Sequence, residues 1–220
     1  MSAASGDAAA GRAVALPAGA RVVALADVAS QPWRNGAGRT RELLAWPDAA
    51  AWQVRVSVAE IDRAAPFSAF AGVERWFAVV DGAGVELSID GVALRVVAGA
   101  PPLRFAGEAS VDGCPIAGPT RDLNFMLRGA RGAMHRVEDR VAWQPAAATC
   151  GLFAAAAGRW TCLDTAGRVE SSGDLSALSL LWLGRAPSRL RFDAAARTRR
   201  AAGAPVGWWL AATPSKDAAP

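Results

Sequence analysis

Histidine is almost absent from this 220-residue chain, and His135, in the polar stretch Arg131-Gly132-Ala133-Met134-His135-Arg136, is the only one. Three-ligand zinc and iron sites draw mainly on imidazole or thiolate, so neither a His-x-His nor an HExxH pattern can be written. A Ser-His-Asp triad would have to use His135 as its base, yet no GxSxG elbow accompanies it, and the residue is assigned to the surface. Cysteine is nearly as scarce. Cys114, Cys150 and Cys162 form no CxxC pair, which suggests neither a disulfide framework nor a zinc site and fits reduced thiols in a cytoplasm. There is no GxxxxGKS/T loop, and Gly36-Ala37-Gly38 lacks the βαβ setting of a dinucleotide fingerprint, so nucleotide chemistry is set aside. No run of about 18 uninterrupted apolar residues occurs, which excludes a membrane-spanning helix. Lysine is represented by Lys216 alone, so arginine carries the net charge of +4. The densest basic group, Arg189, Arg191, Arg197, Arg199 and Arg200, is interrupted by Asp193 and reads as a solvated strand-and-turn face rather than a nucleic-acid footprint.

What is present is material for a core, 52% apolar residues, cut every 8 to 12 residues by glycine, proline or aspartate into short alternating segments. That spacing predicts an all-β sandwich or barrel. Trp52, Val54, Val56 and Val58 fall on one face of a strand and Gln53, Arg55 and Ser57 on the other, which meets either solvent or a wet pocket. Further strands are expected over 40–46, 75–80, 85–89, 92–97, 111–116 and 122–128, with turns at Asp81-Gly82-Ala83-Gly84 and Asp90-Gly91. Phe77 to Gly82 can be laid over Phe153 to Gly158, and the nine-residue spacing of Gly82 and Gly91 returns at Gly158 and Gly167, hinting at two related β units. The expected organisation is a disordered leader over 1–19, a first barrel over 20–130, a second over 131–212 and a frayed tail over 213–220. Most of the nine tryptophans are expected in the core, with Trp33 reserved for a pocket wall.

The densest chemistry lies in Pro32-Trp33-Arg34-Asn35-Gly36-Ala37-Gly38-Arg39-Thr40-Arg41-Glu42, where two permissive glycines, an aromatic ring and several hydrogen-bonding side chains share eleven residues. A tight glycine turn ahead of a charged strand accounts for it equally well from the residues alone. Among the acids, Glu42 and Asp122 are better candidates for a site than Glu60, Asp62 or Glu74.

Taken with Pro66-Phe67-Ser68, Gly72, Arg75 and Asp122-Leu123-Asn124-Phe125-Met126, the run resembles the HutD/Ves family of bacterial proteins over about residues 20 to 212. Two departures are visible: Ala37 stands where members usually carry the middle of three glycines, and the last third matches only in its β pattern. The resemblance implies a bicupin, two small jelly-roll β-barrels in one chain, of a metal-free branch without a cofactor. It also implies a regulatory or accessory role in histidine utilisation or stress response, through binding of a urocanate- or formylglutamate-like metabolite. The expected partner is therefore a small anionic ligand, and neither nucleic acid nor membrane; sheet edges in such a fold invite pairing into a homodimer.

In the expected ligand site, Asn35 and Thr40 give directional hydrogen bonds, Arg55 or Arg75 pairs with a carboxylate, Ser57 and Asn124 line the barrel, and Trp33 with Phe67 closes the apolar side. Glu42 either orients an arginine or accepts from a ligand N–H. No residue is assigned a catalytic or metal-binding role. Two rivals are a cofactor-independent isomerase or hydrolase with Glu42 as base, and a protein-interaction module using the Arg189 to Arg200 face.

Overall fold

The computed structural model describes residues 16–33, 35–195 and 203–215. Residues 1–15 of the expected leader, Arg197, Arg199, Arg200 and residues 216–220 of the expected tail lie outside the described residues. Within them the chain forms strands β1 (Arg21–Ala24), β2 (Gln31–Pro32), β3 (Gly38–Trp46), β4 (Val54–Ile61), β5 (Ala65–Pro66), β6 (Val73–Asp81), β7 (Val85–Ile89), β8 (Val92–Val96), β9 (Leu103–Ala106) and β10 (Val111–Pro115). They continue with β11 (Thr120–Arg128), β12 (Ala130–Arg136), β13 (Ala142–Trp143), β14 (Thr149–Ala154), β15 (Gly158–Leu163), β16 (Val169–Leu175), β17 (Ser179–Leu183), β18 (Arg189–Ala194) and β19 (Gly207–Pro214). No helix among the described residues is long and apolar enough to cross a membrane.

Four sheets result, in the orders β2-β3-β4-β11-β6-β9, β5-β10-β7-β8, β1-β17-β14-β19-β12 and β13-β18-β15-β16. Moving eight strands along the chain converts β4-β11-β6-β9 into β12-β19-β14-β17 and β5-β10-β7-β8 into β13-β18-β15-β16. The internal repeat is therefore a repeat of topology: each half is an eight-stranded jelly roll, one large sheet over one small one. The hairpin turn Asp90-Gly91 has φ of 48° and 81°, the pair of positive values that a two-residue type I′ connection requires. The sequence overlay of Phe77 on Phe153 is out of phase by one face. Phe77 points into the first barrel, whereas Phe153 points out of the second toward the first, because strands slip in steps of one residue and each step exchanges faces.

The two large sheets pack on each other through one continuous core. Val54, Val56 and Val58 of β4, Ala78 and Val80 of β6, and Leu123, Phe125 and Leu127 of β11 meet Met134, Phe153, Leu180, Trp182, Trp208 and Leu210 of the second half. Trp52 does not share the valine face: it precedes β4 and packs with Val73 and Met126, under the Arg128 guanidinium at 4.1 Å. The interior of the first barrel is filled at one end by Ile61, Phe77, Val79, Val85, Leu87 and Val111. That of the second is filled by Leu152, Trp160, Cys162, Leu190, Phe192 and Trp209, with Trp209 stacked on Trp143 at 5.1 Å and 7°.

The halves also exchange an element. β1, placed with the first barrel on the sequence, pairs antiparallel with β17, Arg21 opposite Trp182 and Ala24 opposite Ser179. Its exposed outer face gives it no seat in the first barrel, while the edge of β17 is open to it. At the other end, Thr213 and Pro214, expected in the tail, belong to β19 and pair with Arg131 and Ala130, and the Ser215 amide donates to the Gly129 carbonyl at 2.8 Å.

Because Phe125 is fully buried in the core the halves share, Phe125→Ala is expected to cost about 3–5 kcal/mol. Urea unfolding followed by tryptophan fluorescence and far-UV dichroism should show one transition moved to lower denaturant; two separated transitions would mean that the barrels unfold independently.

Candidate functional site

Strands β4, β6 and β11 lose both faces to protein, so their polar alternates have only the barrel interior to turn toward. Arg55, Ser57 and Ala59 of β4, Arg75 of β6, and Asn124 and Met126 of β11 line a cavity of about 600 Å³ at one end of the first barrel. Gln31, Pro32, Trp33, Asn35 and Thr40 close one side, and Pro66, Phe67, Ser68 and Phe70 the other. Of the nine residues expected to bind ligand, eight line this one cavity: Trp33, Asn35, Thr40, Arg55, Ser57, Phe67, Arg75 and Asn124. Glu42 does not. It stands behind Arg55 and accepts from its Nε at 2.6 Å, which makes it the orienting partner of an arginine.

The glycine-rich run is a shaped wall. Gly36 takes φ of 65°, and the Asn35 side chain accepts from the Ala37 amide at 3.1 Å, closing the turn. Ala37 needs no positive φ and is buried, its carbonyl accepting from the Asp62 amide, so the departure from a three-glycine pattern costs nothing here. Gly38 is different: a Cβ there would sit 2.4 Å from the Glu60 carbonyl oxygen and 3.3 Å from the Trp33 ring. That close approach seats the indole, whose Nε1 donates to Thr40 Oγ1 at 2.8 Å and whose ring meets Phe67 edge-on at 5.9 Å.

Arg75 is the dominant charge. Only 4% exposed, it donates from one terminal nitrogen to Asn124 Oδ1 at 2.8 Å and from the other to the Ser68 carbonyl at 3.4 Å. Its guanidinium carbon lies 5.5, 5.7 and 5.0 Å from the ring centres of Phe67, Phe70 and Phe105. These contacts stabilise a cation by about 0.5–2 kcal/mol each without neutralising it. Nε is buried with no partner, and no carboxylate among the described residues forms an ion pair with the group. Burial, with Arg55 nearby, pulls its pKa down to about 10, which leaves it charged at neutral pH.

The lining holds no histidine, cysteine, aspartate or glutamate among the described residues, and two guanidiniums face it. Such a donor set does not fit the divalent cation that cupin-type barrels commonly hold, and no group of three potential metal ligands occurs elsewhere among the described residues. His135 is exposed on β12 beside Trp143. Sequence reasoning missed Gln31, Phe70, Met126 and Phe105. Met126 could have been found from its alternation with Asn124, but Phe105 reaches Arg75 through pairing of β6 with β9, which no local pattern reveals.

Comparison with known proteins agrees with this geometry. The HutD family model matches residues 25–202. The chain belongs to the HutD family. Among curated HutD-like relatives, an uncharacterised 21.2 kDa protein from the hutC 3′ region of Pseudomonas putida is 32% identical over 59% of this chain and 70% of its own. Protein Ves of Citrobacter koseri is 38% identical over 49% of this chain and 58% of its own, so that match spans little more than half of Ves. Among solved structures, a conserved protein of unknown function from Pseudomonas aeruginosa PAO1 is 28% identical, with a TM-score of 0.71 over 88% of this chain and 97% of the other. HutD from Pseudomonas fluorescens SBW25 has a TM-score of 0.69 at 23% identity, covering 88% and 98%. Oxalate decarboxylase of Bacillus subtilis has one of 0.58 at 9% identity, covering 86% and 76%. The last two establish the fold alone: this HutD-family chain is a bicupin.

Asp122 of the family's Asp-Leu-Asn stretch is fully buried deeper in the same barrel, between Ala59 and Val79, and does not line the cavity. The Thr120 hydroxyl, which donates to the Asp81 carbonyl at 2.9 Å, lies 3.4 Å from Asp122 Oδ1, and Oδ2 has no partner. Burial raises its pKa well above the ordinary carboxylate value, only partly opposed by Thr120, so the folded protein retains a proton that the unfolded chain releases. Its contribution to stability is full below the unfolded pKa and is lost as pH rises above it. Asp122→Asn should therefore match the wild type near pH 4 and become progressively the more stable of the two toward pH 8, measured by urea unfolding at several pH values. A constant difference across that range would show that the carboxyl does not hold its proton.

Proposed function

We propose that the protein binds a small carboxylate-bearing metabolite in the cavity of its first barrel and serves as an accessory or regulatory protein rather than a catalyst. The observation that carries this reading is the Arg75 guanidinium, buried, cationic and without a carboxylate, with one wall of its site an open cavity. An uncompensated buried charge is costly, and an anion entering the cavity relieves that cost. Asn124 and the three phenylalanines hold the guanidinium in place before a ligand arrives, so little ordering is needed on binding. Trp33 and Phe67 offer apolar surface to a planar or aliphatic body, and Gln31, Asn35, Thr40 and Ser57 offer neutral hydrogen bonds.

Proton-transfer chemistry finds no support in the lining. Its only ionisable side chains among the described residues are arginines, and Glu42, the base required by an isomerase or hydrolase reading, is held by Arg55 outside the cavity. A role in histidine utilisation or stress response is supported by the names of the relatives, hutC-region protein, HutD and Ves, and a cytoplasmic setting by three free cysteines. The interaction-module reading rested on arginines that lie mostly outside the described residues. Of that group, Arg191 is turned onto Asp193 at 3.0 Å.

Titration calorimetry of the purified protein with urocanate, formylglutamate and propionate is expected to show binding of at least one. Arg75→Gln should weaken it by about 1.5–3 kcal/mol, as for other hydrogen bonds to charged groups. Affinity should be flat from pH 6 to 9, a range over which Arg75 keeps its charge and a simple carboxylate is ionised. Binding untouched by Arg75→Gln would remove the cavity from the proposal.

A further inference from the structure

Strand β8 ends the small sheet of the first barrel: β7 pairs with one of its sides, and no strand among the described residues pairs with the other. Natural edge strands are guarded by proline, a bulge, an inward charge or extreme shortness. β2, β5 and β13 have two residues each, but β8 has five, no proline, and a register on β7 free of bulges. It is also where apolar surface gathers. Of the seven large apolar side chains exposed among the described residues, Val92, Leu94 and Val97 fall within one six-residue stretch, and Val92 is 60% exposed.

The hairpin fixes which groups of β8 are free. Its two-residue turn makes Ile89 and Val92 a hydrogen-bonded pair, and antiparallel pairs alternate, so Leu94 with Leu87 and Val96 with Val85 also exchange bonds with β7. The N–H and C=O groups of Ala93 and Arg95 therefore point away from β7, off the open edge. Side chains divide by face. Val92, Leu94 and Val96 share the face of Ile89, Leu87 and Val85, which fills the barrel, while Ala93 and Arg95 lie on the outer face beside Ser88 and Glu86.

The apolar row Val92, Leu94, Val96 reads the same in both directions. A second β8 laid antiparallel about a two-fold axis at Leu94 puts Ala93 of one copy opposite Arg95 of the other, twice. Each of those pairs exchanges two backbone hydrogen bonds, four in all, and uses every outward group of Ala93 and Arg95. On the barrel face Leu94 meets Leu94, and each exposed Val92 meets the Val96 of the other copy, so the row Ile89-Val92 of one subunit runs on into Val96-Val85 of the next. Neither arginine faces the other directly, because each stands opposite an alanine and beside its own Glu86. A second copy of this chain meets all of these spacings by symmetry.

We propose that β8 is the homodimer edge of this protein: two copies join antiparallel through β8 about a two-fold axis at Leu94, making one eight-stranded sheet in the order β5-β10-β7-β8-β8-β7-β10-β5. The homodimer expected of sheet edges in general thereby acquires one strand, one register and one axis. No cavity-lining residue lies on β8, so the pairing uses none of the cavity's groups. The contact is small, a short ladder and a short apolar row, so the dimer is reversible and depends on concentration.

Sedimentation velocity of the full-length protein from about 1 to 300 μM should show monomer passing into dimer as concentration rises. Leu94→Glu and Leu94→Lys each set like charges face to face on the axis, and each alone should raise the dissociation constant at least about tenfold. Mixed in equal amounts, the two variants should form a heterodimer at wild-type strength or better, because a carboxylate then faces an ammonium. That rescue requires position 94 to face itself, and a generally more polar edge would not produce it. A second readout adds no charge. Positions facing each other without ladder bonds have Cα atoms about 4.5 Å apart, within disulfide reach, so Leu94→Cys in a Cys114→Ser background should crosslink into a covalent dimer on mild oxidation with copper phenanthroline. A wild type that stays monomeric over the whole range would overturn the proposal, and so would a dimer left intact by both charged variants. Charged variants that remain monomeric when mixed, while keeping the wild-type circular dichroism, would overturn the axis at Leu94. Should neither charged variant fold, the cysteine variant carries the test, and absence of a crosslink overturns the pairing.

Discussion

A β-sheet with protein on both faces has nowhere to put polar side chains except into the protein. The large sheet of the first barrel is in that position because the second barrel covers its outer face through Phe125, Leu123, Trp182 and Trp208. Half of the residues on β4, β6 and β11 are thereby committed to a shared apolar core, and the alternating half, Arg55, Ser57, Arg75 and Asn124, must converge on one another inside the barrel. A solvated sheet would have spread these groups along a wet surface, where an arginine is screened and inexpensive. Confinement is what gathers them around one cavity: it strips Arg75 of water, leaves its Nε unpartnered and lowers its pKa. The indole N–H groups of Trp182 and Trp208, buried without partners in the shared core, show that the packing of the two halves tolerates polar cost elsewhere.

The second barrel has the same strand order and a different interior. Where the first turns arginine, serine and asparagine inward, β14 and β19 carry Cys150, Leu152 and Trp209, and Trp143 lies flat on Trp209. Burial raises the Cys150 thiol to about pKa 12, as expected of an apolar filling in which a thiolate has no support. The two halves thus differ in what they enclose: the second fills its interior with apolar side chains and backs the sheet whose other face lines the cavity of the first.

Much of this was legible in the residues because it depended on period. The alternation of Arg55 and Ser57 against Val54, Val56 and Val58 identified a polar face, and the motif resemblance raised Asn124, Arg75 and Trp33 to the same site, so eight residues distant in sequence were placed together before any pairing was known. What remained illegible depended on sheet order. The face reached by Phe153, the contact of Phe105 with Arg75, and whether Glu42 met a ligand or an arginine all follow from which strands are neighbours and where a bulge falls. Trp52 was misplaced for a local reason: one residue of irregular backbone between it and Val54 is enough to change its face.

The pairing of β1 with β17 has a consequence in time. Arg21 emerges from a ribosome 161 residues ahead of its partner Trp182, an interval of about 8–30 s at ordinary elongation rates. In the last third of that interval, after Arg128, the first barrel has its own strands complete but its large sheet uncovered, and throughout it β1 has no edge to join. The first strand of the described residues is therefore among the last to be seated, and it fastens residues 21–24 onto the second barrel. Fusions placed just ahead of Arg21 will therefore be felt at the edge of the second barrel, where β17 receives β1.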